Sequence, residues 1–306
     1  MRNAFIATLV EMASEDERIS LITADLGFGV VETFAERFPD RFLNVGVAEA
    51  NLMGIAAGLA QAGFVPFCYS IATFASMRGY EQLRNGALLH GLPVRVVGIG
   101  GGYAYGSGGA THYALEDLSL MRVQPGMTTL APADPDQTRA ALRASVDIPG
   151  PIYFRVGKGG NPEVPGLEGR FAFDRPEIVR AGRDVLFLTT GSIVHNALGA
   201  AECLAGEGLS AAVAVLAHLG AAHSKELVDL LRSHARIVTV EEGYTAGGLG
   251  ALVAQAIAEE GLASRLAIRG VREPFSGRTG SPDHMRAKAS LSAEQLARTA
   301  RALVGR

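Results

Sequence analysis

The sequence predicts an α/β protein of two doubly wound domains, a parallel-sheet domain followed by a smaller α/β domain. Three observations carry this. Short apolar runs of strand length alternate with segments whose apolar residues recur at helical spacing, the βα rhythm of a parallel sheet. Glycine is frequent, 38 of 306 residues, and gathers at element ends rather than in any repeat. The alternation breaks once, between Gly157 and Asp184, and then resumes.

Residues 3–17 carry apolar positions at helical spacing and lead into 19–25, a buried strand ending on the carboxylate of Asp25. A short strand over 42–45 is followed by a helix over 47–62, a strand over 65–69 and one long helix over about 74–90 that stops near Gly91. Residues 94–99, 128–130 and 152–156 read as strands, with a helix over 135–146 between the last two. The stretch 157–166, rich in glycine, proline and charge, is the best linker candidate. Beyond it, strands over 184–189, 211–216, 236–240 and 265–268 alternate with helices near 192–205, 224–233, 247–260 and 293–304. Crossovers of this kind are right-handed. The expected division is a first domain over 1–160, a linker over 161–183 and a second domain over 184–306.

Composition narrows the function. With 48% hydrophobic residues and a mean hydropathy of +0.20, the chain can bury a substantial core. A net charge of −3, a pI of about 6.2 and the lack of long basic runs give no electrostatic footprint for nucleic acid or an anionic membrane. Cys68 and Cys203 lie in apolar contexts without a CxxC pair and read as reduced core residues. The first residues turn acidic at Glu11, too early for a signal peptide, and no apolar run reaches membrane-spanning length, so a cytoplasmic location is expected. The sequence contains no P-loop, no G-x-G-x-x-G after a strand, no G-x-S-x-G elbow, no H-E-x-x-H helix and no metal-ligand spacing. The common nucleotide-binding and hydrolase readings therefore fail.

The most informative stretch is 45–60, a helix apolar on nearly every face with Glu49 in its first turn. Such a helix is normally buried, and its alanines and glycines let backbones approach closely, so Glu49 is expected inside a tight interface. An ionised carboxylate there needs a partner. First-turn capping is the simple alternative, but Gly46, at the expected cap, has no side chain to complete a capping box. Residues 69–82, the glycine stretch 98–112 and residues 111–117 fall near the C-terminal edges of successive predicted strands, where open α/β sheets bind ligands. The glycine stretch reads as a long flexible loop that delivers His112.

Taken in this order, these segments resemble the pyrimidine-binding and C-terminal domains of the transketolase family of thiamine diphosphate enzymes, over nearly the whole chain. The matching parts are Gly46-Val47-Ala48-Glu49 opening the helix, Thr73-Phe74 downstream, Thr111-His112 followed by Leu118-Ser119, Ala131-Pro132-Ala133-Asp134, and Val240-Glu241-Glu242 before Gly247-Gly248-Leu249-Gly250. The resemblance implies that Glu49 hydrogen-bonds a ring nitrogen of the cofactor's aminopyrimidine, so its partner would be a cofactor ring rather than a side chain. It further implies that Phe74 stacks on that ring, that Arg78 and Asp25 lie near the cofactor, and that His112 contacts the substrate near its carbonyl and hydroxyl groups. Arg155 and Lys158 match basic positions that hold substrate phosphate.

Two departures stand out. Gly108 occupies the place, four residues before the histidine, where the family usually carries an aspartate that reads a substrate hydroxyl. The sequence also lacks the G-D-G and distant asparagine that bind magnesium and diphosphate. The resemblance thus implies the C-terminal (β) subunit of a split transketolase, transferring a two-carbon ketol unit between sugar phosphates. An N-terminal partner subunit would hold Mg2+ and the diphosphate of thiamine diphosphate in an α2β2 heterotetramer. The alternatives are the β subunit of a 2-oxoacid dehydrogenase and a non-catalytic binding or regulatory subunit of the same fold. Glu116-Asp117 and the strand leading to Lys158 favour a sugar-phosphate site over a lipoyl-accepting one. A 1-deoxy-D-xylulose 5-phosphate synthase is normally one long chain.

Overall fold

The computed structural model describes residues 1–275, 277 and 279–305. Its first sheet has six parallel strands, β1 (Ile19–Thr23), β2 (Phe42–Asn44), β3 (Val65–Ile71), β4 (Arg95–Ile99), β5 (Thr128–Leu130) and β6 (Ile152–Val156), in the order β2-β1-β3-β4-β6-β5. Every residue of β1, β3, β4 and β6 is buried, as a sheet covered on both faces requires. Alternate residues feed opposite layers: Leu21 packs with α1 (Arg2–Glu15), while Ile22 packs with α3 (Glu49–Gln61). Between these helices lies α2 (Glu32–Arg37), and α4 (Ala72–Met77), α5 (Tyr80–Gln82), α6 (Asp117–Arg122) and α7 (Pro135–Ala144) complete the domain.

The second sheet is mixed. It comprises β7 (Glu177–Arg180), β8 (Val185–Thr189), β9 (Ala211–Val215), β10 (Arg236–Tyr244) and β11 (Arg265–Val271), in the order β11-β10-β8-β9-β7 with only β7 antiparallel. Its helices are α8 (Val194–Ala205), α9 (Lys225–Arg232), α10 (Leu249–Glu259), α11 (Pro282–Lys288) and α12 (Ala293–Val304). The two sheets meet by backbone hydrogen bonds, Ala131 N to Ala217 O at 2.7 Å and Leu219 N to Thr129 O at 2.9 Å. One apolar cluster runs from Met121 and Met127 in the first domain to Leu188, Leu216 and Leu249 in the second.

Several expectations change. The first strand stops at Thr23, because Asp25 adopts a left-handed φ of 55° that ends the ladder. The helix over 74–90 is broken at Arg78 and Gly79 and then runs as a π-helical stretch over Leu83–Leu88. The stretch 161–183 contains β7, too short and polar to read as a strand before its partner was known. Cys68 is buried as expected, whereas Cys203 is exposed on α8; both thiols are free. Within the chain, α3 buries one face only: Glu49, Leu52, Met53, Ala56 and Ala60 are covered, and Asn51, Gly54, Gly58 and Gln61 lie at the surface.

The Val240-Glu241-Glu242 and Gly247-Gly248-Leu249-Gly250 motifs form one structural device. Glu241, buried in β10, accepts the backbone N–H groups of Leu249 and Gly250, both at 2.9 Å, and so caps α10. Gly248 is required there, since a Cβ would stand 1.8 Å from Glu241 Oε2. Burial pushes the Glu241 carboxyl up to about 7, and the two N–H bonds offset this only in part. The folded chain therefore retains a proton that the unfolded chain releases. Stability from this group falls as pH rises from about 4.5 to about 7, by about 3 kcal/mol in all at about 1.4 kcal/mol per pKa unit. Denaturation midpoints measured from pH 4.5 to 8 should show this decline in the wild type and a flatter profile in Glu241→Gln; parallel profiles would refute the assignment.

Candidate active site

In the first sheet the chain order reverses between β1 and β3, and the crevice outside their carboxyl ends is where such a sheet receives ligands. The connection from β2 turns at Gly46, whose φ of +70° is one that other residues rarely adopt. It enters α3 directly at Glu49, which is 2% exposed. From β3 the chain passes without a loop into α4, placing Phe74 over the same crevice. The break after α4 then folds back on α3. A Cβ on Gly79 would lie 2.9 Å from the Glu49 carbonyl oxygen and 2.6 Å from Met53 Cγ, so glycine permits this approach and brings Arg78 beside Glu49.

Arg78 Nη1 donates to Glu49 Oε2 at 2.9 Å and to Oε1 at 3.1 Å, and Ser70 Oγ donates to Oε1 at 3.3 Å. In this structure Glu49 is paired with the Arg78 side chain. Ser70 went unnoticed in the sequence; its only signal is a hydroxyl within an apolar strand. The Arg78 guanidinium carbon lies 3.8 Å from the centroid of the Phe74 ring. Phe74 in turn meets His112 edge-on, with ring centroids 5.4 Å apart. Thr111 Oγ1 lies 2.9 Å from His112 Nδ1 and orients the imidazole.

The Tyr105 ring centroid lies 6.1 Å from that of His112, and Lys158 Nζ lies 4.3 Å from the Tyr105 centroid. Ile71, Tyr105, Gly108, His112 and Lys158 line one cleft of about 440 Å³. Gly108 packs against the histidine, since a Cβ there would be 3.1 Å from His112 Cγ. Nothing in the sequence spacing distinguished Tyr105 from its neighbours in the loop. Asp25 is exposed and exchanges hydrogen bonds with Asn44, N to Oδ1 at 3.0 Å and Oδ1 from Nδ2 at 3.1 Å; it lies outside the contacts that link Glu49 to His112.

Arg155 requires a correction. It is 8% exposed and turned inward, donating twice to Asp117 and to the carbonyls of Glu242 (2.9 Å) and Ala114 (2.8 Å), so its hydrogen-bonding capacity is engaged within the protein rather than offered to a phosphate. Burial alone would lower its pKa, but the Asp117 charge and hydrogen bonds more than offset this and keep it cationic. Asp117, fully buried, also accepts the Tyr153 hydroxyl at 2.6 Å.

The same network anchors the glycine stretch, which the sequence suggested was flexible. Tyr103 N donates to Glu242 Oε1 at 2.8 Å, and Tyr113 Oη to the Gly106 carbonyl at 2.8 Å. A Cβ on Gly101 would fall 2.4 Å from Arg155 Nε, and one on Gly106 would fall 2.2 Å from the Gly280 carbonyl oxygen. The glycines serve close packing here. Removing one partner of a buried ion pair strands the other, at a cost of about 3–5 kcal/mol. Asp117→Asn should lower unfolding stability by an amount of this order in chemical denaturation, and a change under 1 kcal/mol would show that the pair is dispensable.

Comparisons with known proteins identify the family. The family described as "Transketolase, pyrimidine binding domain" matches residues 1–162, and "Transketolase, C-terminal domain" matches residues 174–296. A 6-deoxy-6-sulfo-D-fructose transketolase subunit from Clostridium sp. (strain MSTE9) is 37% identical over 98% of this chain and 93% of its own length. A putative transketolase C-terminal section from Methanocaldococcus jannaschii is 35% identical over 97% of this chain and 94% of its own length. Among solved structures, a split gene transketolase in the form of an inactive β4 tetramer superposes with a TM-score of 0.88 at 36% identity, covering 99% of this chain and 97% of that one. The chain belongs to the transketolase family, as a C-terminal transketolase subunit.

Proposed function

We propose that this subunit supplies the pyrimidine side of a thiamine diphosphate site and transfers a two-carbon ketol unit between sugar phosphates when joined to a separate diphosphate-binding subunit. The observation that carries this reading is Glu49, a buried carboxylate at the mouth of the sheet, in one chain of contacts with the Phe74 ring and His112. A carboxylate beside an aromatic face fits an aminopyrimidine, which needs a proton-sharing acceptor for a ring nitrogen and a flat apolar surface to stack on. Among the described residues, no group of three or more His, Cys, Asp or Glu side chains could hold a metal ion. We assign Mg2+ and the diphosphate to the partner because the sequence lacks the G-D-G and asparagine of that half.

When bound, thiamine diphosphate supplies a carbon nucleophile that carries the ketol unit. The chain's own residues act around it. Glu49 holds a proton against the pyrimidine nitrogen, and Phe74 fixes the plane of the ring. His112, oriented by Thr111, donates to the substrate oxygen on which charge develops. Lys158, exposed at the edge of the His112 cleft, attracts the substrate phosphate. Asp25 remains a cofactor-side residue on the family resemblance alone. Gly108 leaves the donor sugar's hydroxyl without the acid that usually reads it. An α2β2 assembly is supported by the surface left open on α3, and a cytoplasmic location by two free thiols and the lack, among the described residues, of a helix able to cross a membrane.

The test is ketol transfer by the purified chain mixed with the diphosphate-half subunit of the same organism, Mg2+ and thiamine diphosphate. Glu49→Gln should reduce turnover about a hundred- to ten-thousandfold without preventing assembly. Equal rates for the wild type and Glu49→Ala would remove the proposed mechanism. Pyruvate-dependent reduction of a lipoyl domain would instead identify a 2-oxoacid dehydrogenase subunit.

A further inference from the structure

Arg78 makes both contacts that the proposed function gives to the aminopyrimidine. Its guanidinium donates to both Glu49 oxygens, at 2.9 and 3.1 Å, while lying 3.8 Å from the Phe74 centroid. We propose that Arg78 is a placeholder, holding Glu49 and the face of Phe74 until the pyrimidine ring takes both, so that cofactor loading exchanges one planar N–H donor for another. This inference rests on the thiamine diphosphate reading.

The chemistry of the two occupants is alike. A guanidinium is flat, delocalised and weakly hydrated, binds carboxylates through paired N–H groups and stacks on aromatic rings. A protonated aminopyrimidine is likewise a flat ring with an N–H directed at the carboxylate. The two cannot share the same face of Phe74, because one face of a phenyl ring accepts one flat group at stacking distance. Without an occupant, Glu49 would be a carboxylate 2% exposed with only the Ser70 hydroxyl at 3.3 Å, an unfavourable state for a buried charge.

Arg78 is also positioned to leave. Its side chain is 45% exposed, against 2% for Glu49, and its hydrogen bonds both end on Glu49. It sits at the end of α4 next to Gly79. Arg155 shows the contrast: it is 9% exposed at the side chain and tied to Asp117 and two carbonyls, which fixes it in place.

Two measurements on the full chain test this. In the complex with the diphosphate-half subunit, calorimetric titration with thiamine diphosphate and Mg2+ should show Arg78→Met, which keeps the apolar stem and removes the guanidinium, binding about tenfold tighter than the wild type. In the wild type, the Arg78 Nε–H proton resonance, shifted by the Phe74 ring current, should move to an ordinary arginine position at saturation. This second readout holds even if the variant folds poorly. If both proteins bind and Arg78→Met binds more weakly, or if the resonance stays shifted at saturation, Arg78 is a cofactor ligand and the placeholder role is wrong. If neither protein binds thiamine diphosphate, the functional reading falls and this inference with it.

Discussion

The buried pair of Arg155 and Asp117 is the constraint on which the rest of the site depends. Both charges are buried, so each holds the other, and the remaining donors of Arg155 reach carbonyls. Those carbonyls belong to Ala114, at the end of the glycine stretch, and Glu242, on β10 of the second domain. One ion pair therefore ties the last strand of the first sheet to the loop bearing His112 and to the neighbouring domain. The second domain contributes Glu242 Oε1 to the Tyr103 amide and the Gly280 carbonyl that packs on Gly106. It sets the shape of a loop whose chemistry faces the first domain.

Two arginine–carboxylate pairs near the site, Arg155–Asp117 and Arg78–Glu49, differ in kind. Arg155 and Asp117 are both enclosed, which makes their pair architectural. Arg78 and Glu49 are enclosed on one side only, since the arginine opens to solvent while the carboxylate does not. Exposure of one partner lets that partner be exchanged without unfolding anything else. Gly79 is the backbone requirement behind this, because only a residue without a side chain brings the end of α4 against the first turn of α3.

Much of this was legible in the sequence, for identifiable reasons. Buried parallel strands are continuous apolar runs, so β1, β3, β4 and β6 could be found without knowing their neighbours. Glu49 stood out because a carboxylate is costly in an apolar helix, and Phe74 and His112 because they follow it at strand ends. The misses have a common cause. β7 is a strand only by virtue of β9, the helix break at Arg78 is fixed by contact with α3, and the inward turn of Arg155 depends on Asp117, thirty-eight positions away in the chain. Each is decided by a long-range partner that local periodicity does not encode. The glycine and glutamate motifs around Glu241 form a helix cap, a role that residue type alone does not separate from catalysis.

The open side of α3 carries a consequence beyond catalysis. Val47 is 71% exposed and Leu43 and Met77 are more than 40% exposed, while at Gly54 and Gly58 no atom of the described residues outside the helix's own backbone lies within 4 Å of where a Cβ would be. These exposed apolar groups beside a bare stretch of helix lower their free energy when another protein surface, including that of an identical chain, covers them. Its proper cover and its own copies therefore compete for it by mass action. Under the proposed two-subunit assembly, chain made in excess of its partner would be left to bury this surface against its own copies.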